Sequence, residues 1–576
     1  MQKIEKTKNT TTDMVSLKIN NHTVEAAKGE TILTVAKRLG IKIPTLCHIE
    51  GLEPIGACRM CLVEIAGMRN LLPACATEIA DGMDVLTHSK RVREARKAVL
   101  ELILSDHPFD CNICERNGEC ELQDMAHELG IREVAFEGER SGGERDESAT
   151  GLVRDMDKCI LCRRCVRVCA EIQGVSAIAV INRGFDTTVA PAFNDPLGSV
   201  SCVQCGQCAL VCPVGAITEK SHIARVWAAL DDTDKFVIVQ TAPAVRAAIG
   251  ECFGMKAGSL VTGKMVAGLR ALGFDRVFDT EFGADLTIVE EGLELLGRLE
   301  ETIVGNGKAT LPMITSCSSG WVKYMEHFFP EMIDNMSSCK SPQQMFGAIA
   351  KTYFAQMAGI DPDKMFVVSI MPCTAKKYES ERPEMRVEGR REVDAVLTTR
   401  EAARMIKEVG IDFATLPDEK FDMPLGASTG AADIFANTGG VMEAALRTVY
   451  ELVTGREMPG EDLHVKPIMG LGGVKEAEIK IDGAAADRAF LEGVTIKVAV
   501  AHGLANARML LERVKRGEAN YHFIEIMGCP GGCIGGGGQP RITDEQTRLA
   551  RIAAIYREDE GKPIRKSHSN PAIVAL

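Results

Sequence analysis

Cysteines at metal-ligand spacing carry most of the chemistry legible in this chain. Two runs, Cys159, Cys162, Cys165, Cys169 and Cys202, Cys205, Cys208, Cys212, each follow C-x2-C-x2-C-x3-C, and Pro213 closes the second. Such runs hold a pair of 4Fe–4S cubanes, with the fourth cysteine of each run ligating the other cluster. The spacing predicts one cubane on Cys159, Cys162, Cys165 and Cys212, and a second on Cys202, Cys205, Cys208 and Cys169. Upstream, Cys47, Cys58, Cys61 and Cys75 form a C-x10-C-x2-C-x13-C arrangement. It suits a 2Fe–2S cluster while departing from the plant-type spacing, and spacing alone leaves zinc open. Between these groups Cys111, Cys114 and Cys120 lack a fourth thiolate, and His107 stands four positions before the first. A lone histidine is usually a surface or capping residue. Here its imidazole would complete a cubane and raise its potential.

Six cysteines lie beyond residue 213. Cys252 and Cys339 are most simply core or incidental thiols. The other four sit just past apolar runs, in three punctuated segments: Thr315-Ser-Cys317-Ser-Ser-Gly-Trp321, Met371-Pro-Cys373-Thr-Ala-Lys376-Lys377, and Glu525-Ile-Met527-Gly-Cys529-Pro-Gly-Gly-Cys533-Ile-Gly-Gly-Gly-Gly-Gln-Pro540. Cys317, Cys373, Cys529 and Cys533 could together hold one more cubane, and the glycines after Cys533 would let backbone approach a ligand closely. Spacing supports that much and no more.

The elements that must position these residues divide the chain. Fifteen of its 21 cysteines precede residue 213 in a length of 576, so a cysteine-dense front end joins a large cysteine-poor domain. Val15, Leu17 and Ile19 alternate, Asn20-Asn21 supplies a turn, and Thr31 to Leu39 is helical: a hairpin followed by a helix. Past residue 223, short β-rich runs alternate with helical stretches, an α/β pattern. Candidate strands are 236–239, 286–289, 366–370, 393–398, 496–500 and 523–526, and in such sheets sites gather where strands end. The expected architecture is multidomain α/β and α+β. It comprises a flexible stretch over 1–14, a β-grasp 2Fe–2S ferredoxin-like domain over 15–92, a His/Cys cluster segment over 93–133 and a linker over 134–150. A two-cluster ferredoxin-like domain over 151–222 and a large catalytic domain over 223–576, with a small C-terminal segment, complete it.

Sixty-seven basic against eighty acidic residues give a net charge of −13, which disfavours nucleic acid or anionic lipid as a partner. No uncharged apolar run is long enough to span a membrane, and the N-terminus carries no export signal. The expectation is a cytoplasmic protein whose cysteines bind metal rather than form disulfides.

The second and third cysteine segments resemble the signature loops of the catalytic domain of iron-only (FeFe) hydrogenases, and the first resembles a variant of theirs. The likeness continues through Ser341-Pro-Gln-Gln344, Thr398-Thr-Arg-Glu401 and Gly439-Gly-Val-Met-Glu-Ala-Ala-Leu-Arg447. The front end is similar to that shared by these hydrogenases and the large peripheral subunit of respiratory complex I. The resemblance implies an H-cluster: a cubane whose last cysteine, Cys533, also bridges to a two-iron centre carrying CO, cyanide and a dithiolate. It further implies that Lys376 holds a cyanide and that Met371 and Met527 pack beside the irons. Pro243 and Phe435 would wall the pocket, and Glu291, Glu294 and Ser337 would conduct protons. On spacing alone, Glu290, Glu291 and Glu294 fit a solvated helix face.

The implied reaction is reversible oxidation of H2 to protons, with one 2Fe–2S cluster and three accessory cubanes carrying the electrons. No plausible dinucleotide fingerprint is present, since Gly250-Glu-Cys-Phe-Gly254 and Gly470-Leu-Gly-Gly473 open no strand–helix unit with an acidic partner. The acceptor is then a separate protein, an NAD(P)-binding flavoprotein subunit or a ferredoxin, and dedicated maturation proteins supply the two-iron centre. Competing readings are an electron-relay subunit resembling that of complex I, an iron–sulfur assembly protein, and a hydrogen sensor with an altered proton relay. The chain departs from the family in its first loop. Two adjacent cysteines and a proline are usual there, the first a proton relay and the second a cubane ligand. This chain has Cys317-Ser318-Ser319. Because a hydroxyl is a poor soft-metal ligand, the expectation is a shifted loop, with Cys317 on the cubane and Ser318 as relay.

Overall fold

The computed structural model describes residues 13–305, 307, 309–459, 462–541 and 543–576. The flexible stretch expected over 1–14 lies, except for its last two residues, outside them. Strands Met14–Ile19 and His22–Ala27 pair antiparallel across Asn20 and Asn21, both at positive φ, as a tight two-residue hairpin requires. Asp84–Leu86, Leu62–Ile65 and Leu72–Pro73 complete a five-stranded sheet. Helix Ile32–Arg38, capped by the Thr31 hydroxyl, buries Ile32, Val35 and Ala36 against it. Within the expected linker, Arg145–Asp146 forms a short strand against Leu152–Asp155, which pairs in turn with Ile217–Glu219.

Two sheets organise the large domain. The first is wholly parallel, in the order Arg276–Asp279, Phe236–Thr241, Met365–Met371, Ala395–Thr398. The second runs Met313–Ile314, Phe523–Met527, Thr495–His502, with Val474–Lys480 antiparallel at its edge. Val237 to Thr241 are buried without alternation, as helices on both faces of a parallel sheet demand. The strand expected over 286–289 is instead part of the 23-residue helix Glu281–Ile303. The physical reason is period. From Thr287 onward its buried residues are Thr287, Ile288, Glu291, Gly292, Leu295, Leu296 and Leu299, which recur every three to four residues, a pattern that a four-residue apolar run cannot reveal.

A buried charge network locks this domain together. Arg246 bridges Asp279 at 2.8 Å, Glu281 at 2.8 Å and Asp433 at 3.1 Å. Lys562, just past helix Glu545–Gly561, adds a second cation 2.8 Å from Asp433. Arg246 ends the short helix that begins at Pro243, and Asp433 lies two residues before Phe435. The network therefore fixes both residues expected to wall the pocket and pins the C-terminal segment to them. Removing one partner from such a set costs about 3–5 kcal/mol.

Candidate functional site

The three cysteine loops of the large domain follow the carboxyl ends of parallel strands. Cys317 comes after Met313–Ile314, Cys373 after Met365–Met371, and Cys529 after Phe523–Met527. Pro243 follows the end of Phe236–Thr241 in the same way. Burial raises the Cys529 and Cys533 thiols, the latter to about 12, and the charge of nearby Cys373 raises both further. Thiols this buried ionise when a metal replaces the proton.

Glycine makes the approach of the loops possible. A Cβ on Gly536 would lie 2.1 Å from the Pro372 carbonyl oxygen, and one on Gly532, at φ +93°, 2.6 Å from the Thr438 amide nitrogen. His502, held neutral by burial, accepts from the Gly531 amide at 3.1 Å through Nδ1 and pairs its Nε2 with the Leu471 carbonyl at 3.1 Å. It thereby orients the turn between Cys529 and Cys533.

Around these thiols stand the other residues singled out by resemblance. Met371, Met527 and Phe435 are buried, as is Pro243. Lys376 donates to the Cys317 carbonyl at 3.0 Å and to Glu379 Oε2 at 2.8 Å. Glu379 also accepts from Ser319, Ser341 and Gln343, so a carboxylate sixty positions from the first loop sets the lysine head. Sequence reading passed over Glu379; its i,i+3 spacing from Lys376 was the available signal.

Cys317 and Ser318 face different sides of this group. The charges that act most on Cys317 are Glu291, then Cys533 and Lys376. The Ser318 hydroxyl instead accepts from the Gly528 amide at 3.1 Å, beside Cys529. The hydroxyl thus stands at the Cys529 loop, where the strict register would put a ligand. Ser318 precedes helix Ser319–Phe328 in an extended conformation and its side chain does not cap the helix, so the Cys317 and Ser318 side chains diverge.

Beyond Cys317 lies a line of acidic and hydroxyl groups. Glu291 is fully buried with neither carboxyl oxygen hydrogen-bonded, and burial pushes its carboxyl up to about 7. Ser337 donates to Glu294 at 3.1 Å, and Glu294 pairs with Arg298 at 2.7 Å at the partly exposed end. Glu290, one residue from Glu291, is exposed. The solvated-face reading therefore fits Glu290 and fails for Glu291.

The front end gathers twelve of its cysteines into three groups. Cys58 N–H donates to Cys47 Sγ at 3.5 Å, and the Cys61 and Cys75 sulfurs are 3.4 Å apart in the same small fold. One hollow is lined by Cys159, Cys162, Cys165 and Cys212, and another by Cys169, Cys202, Cys205 and Cys208. Each hollow combines three cysteines of one run with one of the other. Burial raises Cys159 to about 12 and Cys202 to about 11. His107 has its Nδ1 buried without a hydrogen-bond partner, the orphaned donor set a metal would satisfy. Of the cysteines that follow it, Cys120 is buried, whereas Cys111 is exposed.

The second hollow abuts the large domain. Thr374 Oγ1 donates to the Gln204 carbonyl at 2.7 Å, and Gln207 donates to the Gly535 carbonyl at 2.8 Å while reaching Cys529. A Cβ on Gly537 would lie 2.2 Å from the Cys205 carbonyl oxygen, and one on Gly206 2.4 Å from Thr374 Oγ1. Backbone thus meets backbone between the two thiol groups, a short path for electrons. Gln207 and Thr374 carried no sequence signal.

Comparison with known proteins accords with this arrangement. The family described as iron-only hydrogenase large subunit, C-terminal domain, matches residues 235–537. A 2Fe–2S iron–sulfur cluster binding domain matches 12–90, the NADH-ubiquinone oxidoreductase-G iron–sulfur binding region 96–135, and the ferredoxin-like domain of NADH-quinone oxidoreductase subunit 3 151–218. Iron hydrogenase small subunit matches 545–576, so the C-terminal segment corresponds to a chain that is separate elsewhere. The NADP-reducing hydrogenase subunit HndD of Solidesulfovibrio fructosivorans is 52% identical, with 98% of this chain and 95% of that one covered. Iron hydrogenase 1 of Clostridium pasteurianum is 40% identical over 98% and 96%. A solved variant of the FeFe-hydrogenase HydA1 from Chlamydomonas reinhardtii superposes with a TM-score of 0.55 at 44% identity, covering 62% of this chain and 94% of its own. Fold, loops and relatives agree: the chain belongs to the iron-only (FeFe) hydrogenases.

Proposed function

We propose that this chain is the H2-converting subunit of an NADP-linked hydrogenase, interconverting H2 with two protons and two electrons and exchanging the electrons with a separate flavoprotein subunit. The observation that carries the reading is the convergence of the Cys373 and Cys529–Cys533 loops beside Cys317 and a fully buried Glu291. The H-cluster, when bound, supplies the redox-active iron that polarises H2. The protein does the rest. Cys373, Cys529 and Cys533 would hold the cubane, with Cys533 positioned to serve the two-iron centre as well and Ser318 in the fourth ligand position. Lys376 offers its remaining N–H to a cyanide, while Met371, Met527, Pro243 and Phe435 keep water from the irons.

Protons leave by Cys317, Glu291, Ser337 and Glu294. A carboxyl near pKa 7 can both take and give a proton at neutral pH, which suits a reversible path. Cys169, Cys202, Cys205 and Cys208 would hold the cluster next to the catalytic cubane, and Cys159, Cys162, Cys165 and Cys212 the one after it, together supplying an electron path. The His107, Cys111, Cys114, Cys120 cubane and the 2Fe–2S cluster on Cys47, Cys58, Cys61 and Cys75 lead outward. NADP linkage is supported by the full-length relative and by the complex I-like front end. A cytoplasmic location fits the reduced cysteines; among the described residues no helix is long and apolar enough to cross a membrane.

Matured protein should contain about 20 irons per chain, from one binuclear cluster, four cubanes and the two-iron centre. It should show infrared bands of CO and cyanide. Copurification of the native protein, with H2-uptake assays on NADP, NAD and ferredoxin, tests the linkage. Turnover with ferredoxin and none with NADP in the copurified assembly would replace the flavoprotein partner.

Glu294→Gln should slow H2 production about 10²–10⁴-fold with full iron retained, because an amide cannot relay a proton. Rates equal to wild type would reduce Glu294 to the structural partner of Arg298.

A further inference from the structure

Arg116 lies on the turn between Cys114 and Cys120 and is only 2% exposed. Its Nε and Nη1 have no hydrogen-bond partner, and it makes no ion pair with a carboxylate among the described residues. Neighbouring cations are neutralised: Arg164 pairs with Glu121 at 2.7 Å and Lys158 with Asp155 at 3.1 Å. A buried, unpaired guanidinium is costly unless something else supplies negative charge. The segment packed on Arg116 indicates what does. Glu121 N–H donates to the Pro213 carbonyl at 3.0 Å, which docks the Cys111–Cys120 turn onto the chain just past Cys212. A Cβ on Gly215 would lie 2.8 Å from Cys114 Sγ and 3.5 Å from Arg116 Cγ, so the glycine leaves room for both. The thiols whose charge acts most on the guanidinium are Cys212 and Cys120, one from each neighbouring cluster site.

We propose that Arg116 is a positioning residue for electron transfer, a fixed positive charge between the His107/Cys111/Cys114/Cys120 cluster and the Cys159/Cys162/Cys165/Cys212 cluster that stabilises the reduced form of both. A cubane gains one negative charge on reduction, and a permanent cation in a dry setting favours that state. Guanidinium suits the role because it stays charged and offers several fixed donors to sulfur on either side. The inference rests on the cluster assignments above.

The test is a redox titration of the matured full-length protein, followed by electron paramagnetic resonance. Arg116→Gln and the volume-filling Arg116→Met should both lower the reduced-to-oxidised ratio of these two cubanes about tenfold at a fixed potential, which is a 59 mV negative shift for a one-electron couple. Arg116→Lys should restore most of it, and the 2Fe–2S signal should titrate as in wild type in every variant. Unchanged midpoints in either neutral variant with wild-type iron would overturn the proposal, as would an equal loss in Arg116→Lys. Absence of the two cubane signals from wild-type protein would instead overturn the cluster assignment beneath it.

Discussion

Cys533→Ser should abolish H2 turnover while leaving the accessory clusters reducible by dithionite. The substitution changes one atom, so packing at Gly532 and Gly536 is kept and the fold is retained. The replaced atom is the one that matters. A serine oxygen is hard and must lose a proton of high pKa before it can ligate, whereas a bridging position asks one soft donor to serve two irons. Cys533 also lies between the two halves of the site: its thiol feels both Cys373 and Lys376, the first on the cubane side and the second on the proposed cyanide side. The accessory thiols belong to other elements, so their resonance signals should persist. Measurement is viologen-linked H2 production together with resonance spectra of dithionite-reduced protein. Substantial remaining activity would mean that another group bridges the irons.

The sequence reading was strongest where ligands are close in the chain and weakest where they are not. The eight cysteines of the paired runs were legible because a C-x2-C-x2-C turn needs only local backbone geometry, and the exchange of Cys169 and Cys212 follows from that turn's direction. The Asn20-Asn21 hairpin was legible for the same reason. By contrast, Glu290 and Glu291 are indistinguishable as letters. A 100° step around helix Glu281–Ile303 leaves one in water and buries the other beside Cys317, and only packing against the first cysteine loop sets that rotation. Glu379, Gln207 and Arg116 act across gaps of tens to hundreds of residues, where no spacing rule reaches. The Gly535–Gly538 run was visible as permissive backbone, but its partners Pro372, Cys205 and Thr398 were not.

Opposite outcomes are expected for the two residues of the altered first loop. Cys317→Ala should retain the full iron content and lose rate by about 10²–10⁴-fold, the range for removing a proton-transfer group. Its buried side chain lies near Glu291 as well as Cys533, where the proposed proton path would meet the site. Ser318→Ala should lose the catalytic cubane, or hold it so weakly that iron falls by about four per chain, the content of one cubane. Its hydroxyl adjoins Gly528 at the start of the Cys529 loop, where a fourth ligand is needed. Elementary ligand preference argued for the reverse, because thiolate binds iron–sulfur clusters far better than alkoxide. Backbone contacts weigh the other way: exchanging the two side chains would require turning the loop over against the bond from Trp321 Nε1 to the Thr315 carbonyl, at 3.1 Å, and the bond from Gly528 to Ser318. Ser318→Cys provides the decisive third variant. In the strict register it supplies the missing thiolate, so iron retention after mild chelation should rise above wild type while turnover persists. If Cys317→Ala loses the cubane and Ser318→Ala keeps it, the loop is shifted in the matured protein and the roles of the two residues exchange.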